Sequence, residues 1–117
     1  METRGTRLKI HNDLCHEIHD LYQRKNNDYG DSFRKVRNEL PWAILVRLSD
    51  KINRLKSLMQ KSDDERYVLD ETIDDTLMDI ANYALLELTE RRVDRNLMEE
   101  IQNEQYDAKT SQESRPL

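Results

Sequence analysis

The chain has 117 residues, of which 36% are hydrophobic and 37% are charged, and its formal net charge is -5. This length allows one small domain, and the acidic balance argues against extended nucleic acid as a partner, because binding to a phosphate backbone needs a basic face. No apolar run approaches the roughly 20 residues of a membrane span, and the N-terminus lacks the apolar segment of a signal peptide. We therefore expect a cytoplasmic protein without a membrane partner.

Hydrophobic spacing predicts helices along most of the chain. Apolar side chains recur every three or four residues in 8–25, 42–61 and 68–92, which is the period of one helix face. A short helical piece is expected at 33–40, before a proline. No stretch alternates polar and apolar residues as a strand would. The sequence therefore predicts an all-α fold, a small helical bundle of three to four main helices.

The C-terminal part loses its hydrophobic periodicity after a last amphipathic segment that contains Val93, Leu97 and Ile101. The ending DAKTSQESRPL is polar and aperiodic, which is typical of disorder. We expect a single domain over 1–107 and a disordered tail over 108–117. Since the composition is lean in apolar residues and a domain this small buries a modest share of its surface, we also expect a homodimer or higher homo-oligomer.

Three acids repeat at every fourth position in DETIDDTLMDIANYALLEL, residues 70–88. Glu71, Asp75 and Asp79, which we call the acidic ladder, lie with Asn82 within roughly 80° of arc on one side of a helix. No Lys or Arg lies in the run 67–90 to relieve their repulsion. The opposite side holds the residues that we expect to face the core: Ile73, Leu77, Ile80, Ala81, Ala84 and Leu88.

The acidic ladder has two interpretations. It is either a hydrated face or a site for a divalent cation. The cation would relieve the repulsion between carboxylates one turn apart, which destabilises a helix by a few tenths of a kcal/mol. Magnesium takes oxygen ligands, usually one or two carboxylates together with water and substrate phosphates. We predict Mg²⁺ as a cofactor, with Glu71 and Asp75 sharing one ion and Asp79 reaching a second.

A basic stripe precedes the ladder on the helix predicted at 42–61. Arg47, Lys51 and Arg54 lie beside its apolar face, with Asp50 among them. Arginine can grip phosphate oxygens in bidentate fashion and lysine can act as a point charge. In the alternative interpretation, these four residues pair with one another or with the acidic ladder. We predict all four as substrate-binding residues.

The segment KNNDYGDSF separates the first two predicted helices. Tyr29 could stack on a base and Asp28 could contact a metal or a ribose, although on the residues alone the turn chemistry of Asn, Asp and Gly is the simpler explanation. Lys25 and Asn82 complete the predicted substrate-binding set.

Three motifs in order, KNNDYGDSF, RLSDKINRL and DETIDDTLMDIANYALL, resemble the nucleotide modification associated domain family of phages and bacteria. The resemblance covers roughly residues 8–90. That family is similar to the all-α NTP pyrophosphatases, the MazG-like and dimeric dUTPase-like group. The resemblance implies a MazG-like bundle, completed by dimerisation, that holds Mg²⁺ on acidic helices and cleaves nucleoside triphosphates to monophosphate and pyrophosphate. It also implies a place in the bacterial cytosol and a role in nucleotide metabolism, including that of a phage-encoded protein.

The resemblance assigns Glu71 and Asp75 to the second acidic motif of that group, as metal ligands and catalytic residues. One departure concerns the preceding helix, where MazG-like enzymes carry Glu-x-x-Glu and this chain offers Asp50 as the only acid in RLSDKINRL. Two alternatives therefore stay open. One is a nucleotide-binding protein that does not hydrolyse its ligand, such as a phage sponge for cyclic-nucleotide immune signals or a helper of base modification. The other is a helical interaction protein with a hydrated ladder.

Overall fold

The computed structural model describes residues 3–29, 32–62 and 66–113, and within these ranges the chain is helical and has no strand. Its helices are, in chain order, α1 (Arg4–Tyr29), α2 (Ser32–Glu39), α3 (Ala43–Met59) and α4 (Arg66–Glu113). The prediction of an all-α fold, a small bundle of three to four helices, is confirmed. None of the described helices has a stretch long and apolar enough to cross a membrane.

Helix α3 begins just after a proline. Pro41 has no N–H to donate, and Trp42 occupies the N-cap position without a side-chain capping bond. The backbone N–H of Ala43 donates to the carbonyl of Leu40 at 2.9 Å, and that of Leu45 donates to Trp42 at 3.0 Å. These bonds span three residues, so tight turns of the 3₁₀ kind lead from α2 into α3.

Helix α4 includes both the helix predicted at 68–92 and the amphipathic segment predicted after it. It continues without a break to Glu113, past residue 107, where the domain is predicted to end. The chain divides into two compact units, Met1–Leu86 and Glu87–Leu117. The described part of the second unit consists of α4 alone. The last four residues of the predicted tail, 114–117, lie outside the described residues.

Helices α3 and α4 run antiparallel within the first unit. Arg47 lies over the ring of Tyr83, and one turn further along α3 the ammonium group of Lys51 binds Asp79. Residue numbers therefore rise along α3 as they fall along α4. The contacts place the side of α4 that carries Asp79 against α3.

The buried residues of α4 are polar, contrary to the expected core face. Thr76 and Asn82 are 3% and 4% exposed, whereas Leu77 and Leu88 are 45% and 49% exposed. The prediction is wrong for these leucines because α4 turns its polar side towards α3. Thr76 tolerates burial because its hydroxyl donates to the carbonyl of Thr72 at 2.9 Å.

Candidate functional site

All four helices contribute to a cavity of about 240 Å³, which we call the aromatic cavity. The end of α1, the start of α2, the first turns of α3 and the middle of α4 form its walls. Aromatic rings, two cations and one amide dominate the lining: Tyr22, Phe33, Tyr83, Lys25, Arg47 and Asn82. The cavity therefore combines a stacking surface with positive charge.

Asn82 is the most deeply buried of the polar side chains that line the aromatic cavity. It is 4% exposed, and none of the hydrogen bonds among the described residues involves its amide. Its side-chain nitrogen and oxygen keep some contact with solvent, because no fully buried side-chain polar atom among the described residues lacks a partner. A ligand in the cavity could therefore donate to the amide oxygen or accept from the amide nitrogen.

Arg47 connects the aromatic and cationic parts of the cavity. Its guanidinium carbon lies 6.0 Å from the centre of the Tyr83 ring, at the outer limit of a cation–π contact. This contact leaves the N–H groups of the guanidinium available to an anion. Lys25 adds a second positive charge from the end of α1.

One member of the acidic ladder is paired with the basic stripe. The ammonium group of Lys51 lies 2.9 Å from a carboxylate oxygen of Asp79, and the two side chains are 29% and 32% exposed. This ion pair is one of those that the alternative interpretation of the stripe expects. Because both partners are partly buried, solvent screens this pair less than it screens a fully exposed ion pair.

A wider groove, with a volume of about 1040 Å³, lies between α1 and α4. We call it the acidic groove because five carboxylates and one arginine surround its apolar floor. Two of these carboxylates, Asp75 and Asp79, belong to the ladder. The charged lining residues besides Asp79 are Glu17, Asp20, Asp74, Asp75 and Arg24.

The predicted magnesium ligands do not form a closed cage. Within the described parts of the chain, no three Asp, Glu, His or Cys side chains are arranged to hold one metal ion. Glu71 and Asp75 are exposed, while Asp79 is engaged by Lys51. An open magnesium site would need only two of these carboxylates, with water or phosphate as the remaining ligands.

The remaining predicted residues are dispersed. Arg54 lines a third depression of about 630 Å³ near the end of α3, and Asp50 is exposed and lines none of the three spaces. The side chains of Asp28 and Tyr29 lie outside the described residues. The structure thus brings together Lys25, Arg47 and Asn82.

Sequence reasoning missed the aromatic residues of the cavity. The predicted substrate-binding set includes none of Tyr22, Phe33 and Tyr83. Phe33 is the one phenylalanine in the chain, and Tyr83 directly follows Asn82. That adjacency was the available signal, because consecutive residues on a helix point about 100° apart and can line two walls of one cavity.

A model of a known protein family matches a large part of the chain. Residues 25–90 match the model of nucleotide modification associated domain 1, which covers more than half of the chain. All the described residues of the aromatic cavity except Tyr22 fall within this range.

The chain is also similar to a curated plant protein, the VAMP-like protein YKT62 of Arabidopsis thaliana. The identity is 31% over 70 residues, which cover 55% of this chain and 34% of that protein. The match thus spans about a third of the length of this relative. No solved structure matches the chain.

Proposed function

Because the chain belongs to the nucleotide modification associated domain 1 family, we propose that it binds a nucleotide in the aromatic cavity. The observation that carries this proposal is the convergence of Lys25, Arg47 and Asn82, all expected from the sequence to bind substrate, on one space of about 240 Å³. Ligand sites are mostly apolar concavities with a few convergent polar groups. The aromatic cavity has this composition.

The lining of the cavity suits the parts of a nucleotide. A base can stack on Tyr22, Phe33 or Tyr83, a contact worth about 1–3 kcal/mol per base. The amide of Asn82 can bind the polar edge of that base. Arg47 offers a bidentate donor to phosphate oxygens. Since the volume lies just below the roughly 300–1,000 Å³ of drug-sized sites, we propose that the base and sugar enter while the phosphates stay near Arg47 at the mouth.

Calorimetry with the four deoxynucleoside triphosphates tests this proposal, with Lys25→Gln compared with Arg24→Gln. The two cations are neighbours in sequence, but Lys25 lines the aromatic cavity and Arg24 lines the acidic groove. Loss of a charge-assisted contact costs about 1.5–3 kcal/mol, so we expect Lys25→Gln to weaken binding at least about tenfold. Arg24→Gln should bind as the wild type does. Equal losses in both variants, or no binding by the wild type, would exclude the aromatic cavity as the site.

A second candidate function is hydrolysis of the bound nucleotide to monophosphate and pyrophosphate. The specific observation in its favour is that Asp79 precedes Asn82 by one helical turn and contacts Lys51, so phosphates leaving the cavity along α3 would meet both charges. Glu71 and Asp75 would share one Mg²⁺ and Asp79 would reach a second, and the metal would polarise the phosphate and lower the pKa of bound water. Lys51 would then transfer its ion pair from Asp79 to a phosphate oxygen.

Release of pyrophosphate from the same nucleotides, with Mg²⁺ or with EDTA, tests this second function. We expect Asp75→Asn to lower Mg²⁺-dependent turnover by at least about a hundredfold, since a catalytic metal supplies several kcal/mol. Asp74→Asn, the neighbouring acid outside the ladder, should retain turnover. Tight binding without turnover would instead favour the non-hydrolysing protein, either a sponge for a nucleotide signal or a helper of base modification.

The proposal also includes a MazG-like relationship and self-association in the cytosol of a bacterium or a phage-infected cell. Support for self-association comes from the exposed apolar side chains of the single chain, such as Ile10, Leu14 and Leu77, which are 53%, 41% and 45% exposed. Burial of apolar surface is the main driving force of association. The mass of the particle in solution tests this part separately.

A further inference from the structure

The rim of the acidic groove carries negative charges that the described residues leave unbalanced. No ion pair among those residues involves Glu17, Asp20, Asp74 or Asp75. The floor between them is apolar, and Leu77 on this floor is 45% exposed. A surface of this kind suits a partner helix with apolar side chains flanked by positive charges.

Residues 88–98 of α4 carry a surface of that kind, which we call the arginine face. Arg91, Arg92 and Arg95 fall within about 120° of arc together with Leu88 and Met98. The two apolar side chains are 49% and 56% exposed. All three arginines are exposed, and among the described residues none of them forms an ion pair.

We propose that the arginine face of one chain docks into the acidic groove of a second copy of the chain. The groove includes Leu77, Met78 and Ala81, which are turns of the same unbroken helix that later presents the arginines. Since both surfaces include turns of one unbroken helix, we assign the arginine face that enters the groove to another molecule. Each copy has both surfaces, and two copies would form a closed dimer by making this contact twice.

This inference rests on the part of the proposed function that expects self-association, and it does not depend on nucleotide binding. It names the two surfaces that meet and the charges that select them. Arginine is suited to this role because its planar fork binds carboxylates in bidentate fashion. Opposite charges on the two surfaces also disfavour contacts between two grooves or between two arginine faces, where like charges would meet.

The single chain buries few apolar side chains, which leaves apolar surface for such an interface. Among the described residues Leu58 is the one large apolar side chain below a tenth exposed, so the single chain has a small core.

Light scattering coupled to size exclusion, on the full chain and its variants, tests the inference. We expect the wild type to have twice the mass of one chain at low salt and to dissociate as salt screens the charges. Arg95→Glu should be monomeric, or should weaken the dimer at least about tenfold. Asp74→Arg should do the same. An equimolar mixture of Arg95→Glu and Asp74→Arg should restore association, because it brings opposite charges together again.

Lys109→Glu is the matched control, since it makes the same charge change on an exposed residue of α4 away from the arginine face. It should dimerise as the wild type does, and far-UV circular dichroism should show equal helicity in all variants. A monomeric wild type would overturn the inference. So would an Arg95→Glu dimer as tight as the wild type, or a mixture of the two reversed variants that stays monomeric. A variant that loses helicity would be replaced by Arg95→Gln, for which a weaker dimer is expected.

Discussion

Two spaces beside α4 in the first unit differ in charge although the same few turns line both. The aromatic cavity, which α3 helps to form, has Arg47 and Lys25 as its charged groups. The acidic groove, which α1 and α4 form, holds five carboxylates and a single arginine. An anion such as a nucleotide phosphate is attracted to the first and repelled by the second. Asn82 of the cavity and Asp75 of the groove share one side of α4, so the neighbouring helices, rather than the side of α4 alone, distinguish a ligand site from a docking surface.

Among the changes considered, charge reversal at Arg47 should weaken nucleotide binding the most. Arg47→Glu replaces a phosphate-binding cation by an anion at the mouth of the aromatic cavity, and we expect nucleotide affinity to fall at least about a hundredfold, or roughly 3 kcal/mol. Calorimetry with the four deoxynucleoside triphosphates measures the loss. Arg24→Glu, the same change in the acidic groove, should leave affinity within about threefold of wild type. A larger loss for Arg24→Glu would place the phosphates in the groove.

Loss of an aromatic wall should have an intermediate effect. Tyr83→Leu keeps an apolar side chain but removes the ring on which a base can stack, and we expect about tenfold weaker binding. Tyr106→Leu is the control, because Tyr106 is 70% exposed and lies outside the cavity. If affinity is unchanged in Tyr83→Leu and in the corresponding Phe33→Leu, base stacking in this cavity is ruled out.

The Lys51–Asp79 ion pair should matter for stability. Because both side chains are about two-thirds buried, we expect Lys51→Met to lower the free energy of unfolding by about 1 kcal/mol, which lies between the values for exposed and buried pairs. Urea denaturation of Lys51→Met, Asp79→Asn and the double variant isolates the coupling between the two residues. Strictly additive effects would show that the contact contributes nothing to stability.

The smallest effect on the free energy of unfolding is expected at Asp75. Its carboxylate lies one turn from those of Glu71 and Asp79, so Asp75→Asn removes like-charge repulsion and should raise the free energy of unfolding by a few tenths of a kcal/mol. In contrast, Mg²⁺ bound among the ladder carboxylates would stabilise the wild type and not the variant. Urea denaturation with and without Mg²⁺ distinguishes the two cases. A stability of Asp75→Asn that rises with Mg²⁺ as much as that of the wild type would remove the ladder as a metal site.

Helix formation could be predicted from this sequence because it depends on local spacing. The three- to four-residue period of apolar side chains marked α1, α3 and the first part of α4, and Pro41 marked the entry to α3. The unbroken course of α4 was harder to foresee, since its second part has only a sparse stripe, Val93, Leu97 and Ile101. No proline or glycine interrupts α4, which in retrospect is the signal for a single helix.

The arrangement around α4 could not be predicted, because it depends on which side its neighbours occupy. Hydrophobicity alone assigns the core to the side with Leu77 and Leu88, yet in the single chain Thr76 and Asn82 are the buried residues. If a second copy covered Leu77 and Leu88, the apolar side of α4 would be buried as hydrophobicity predicts, together with Thr76 and Asn82. The candidate site could be predicted in part. Lys25, Arg47 and Asn82 were singled out for their chemistry, whereas predicting the aromatic walls requires knowledge of how α1, α2 and α4 converge.

The most direct measurement of the central claim is a nuclear magnetic resonance titration of the isotope-labelled full chain with the four deoxynucleoside triphosphates. If a nucleotide binds in the aromatic cavity, the largest shifts will occur at the side-chain amide of Asn82 and at the backbone of Lys25, Arg47 and Tyr83, with little change at Asp74 in the acidic groove. Shifts confined to the acidic groove, or no shifts with any of the four nucleotides, would contradict the account.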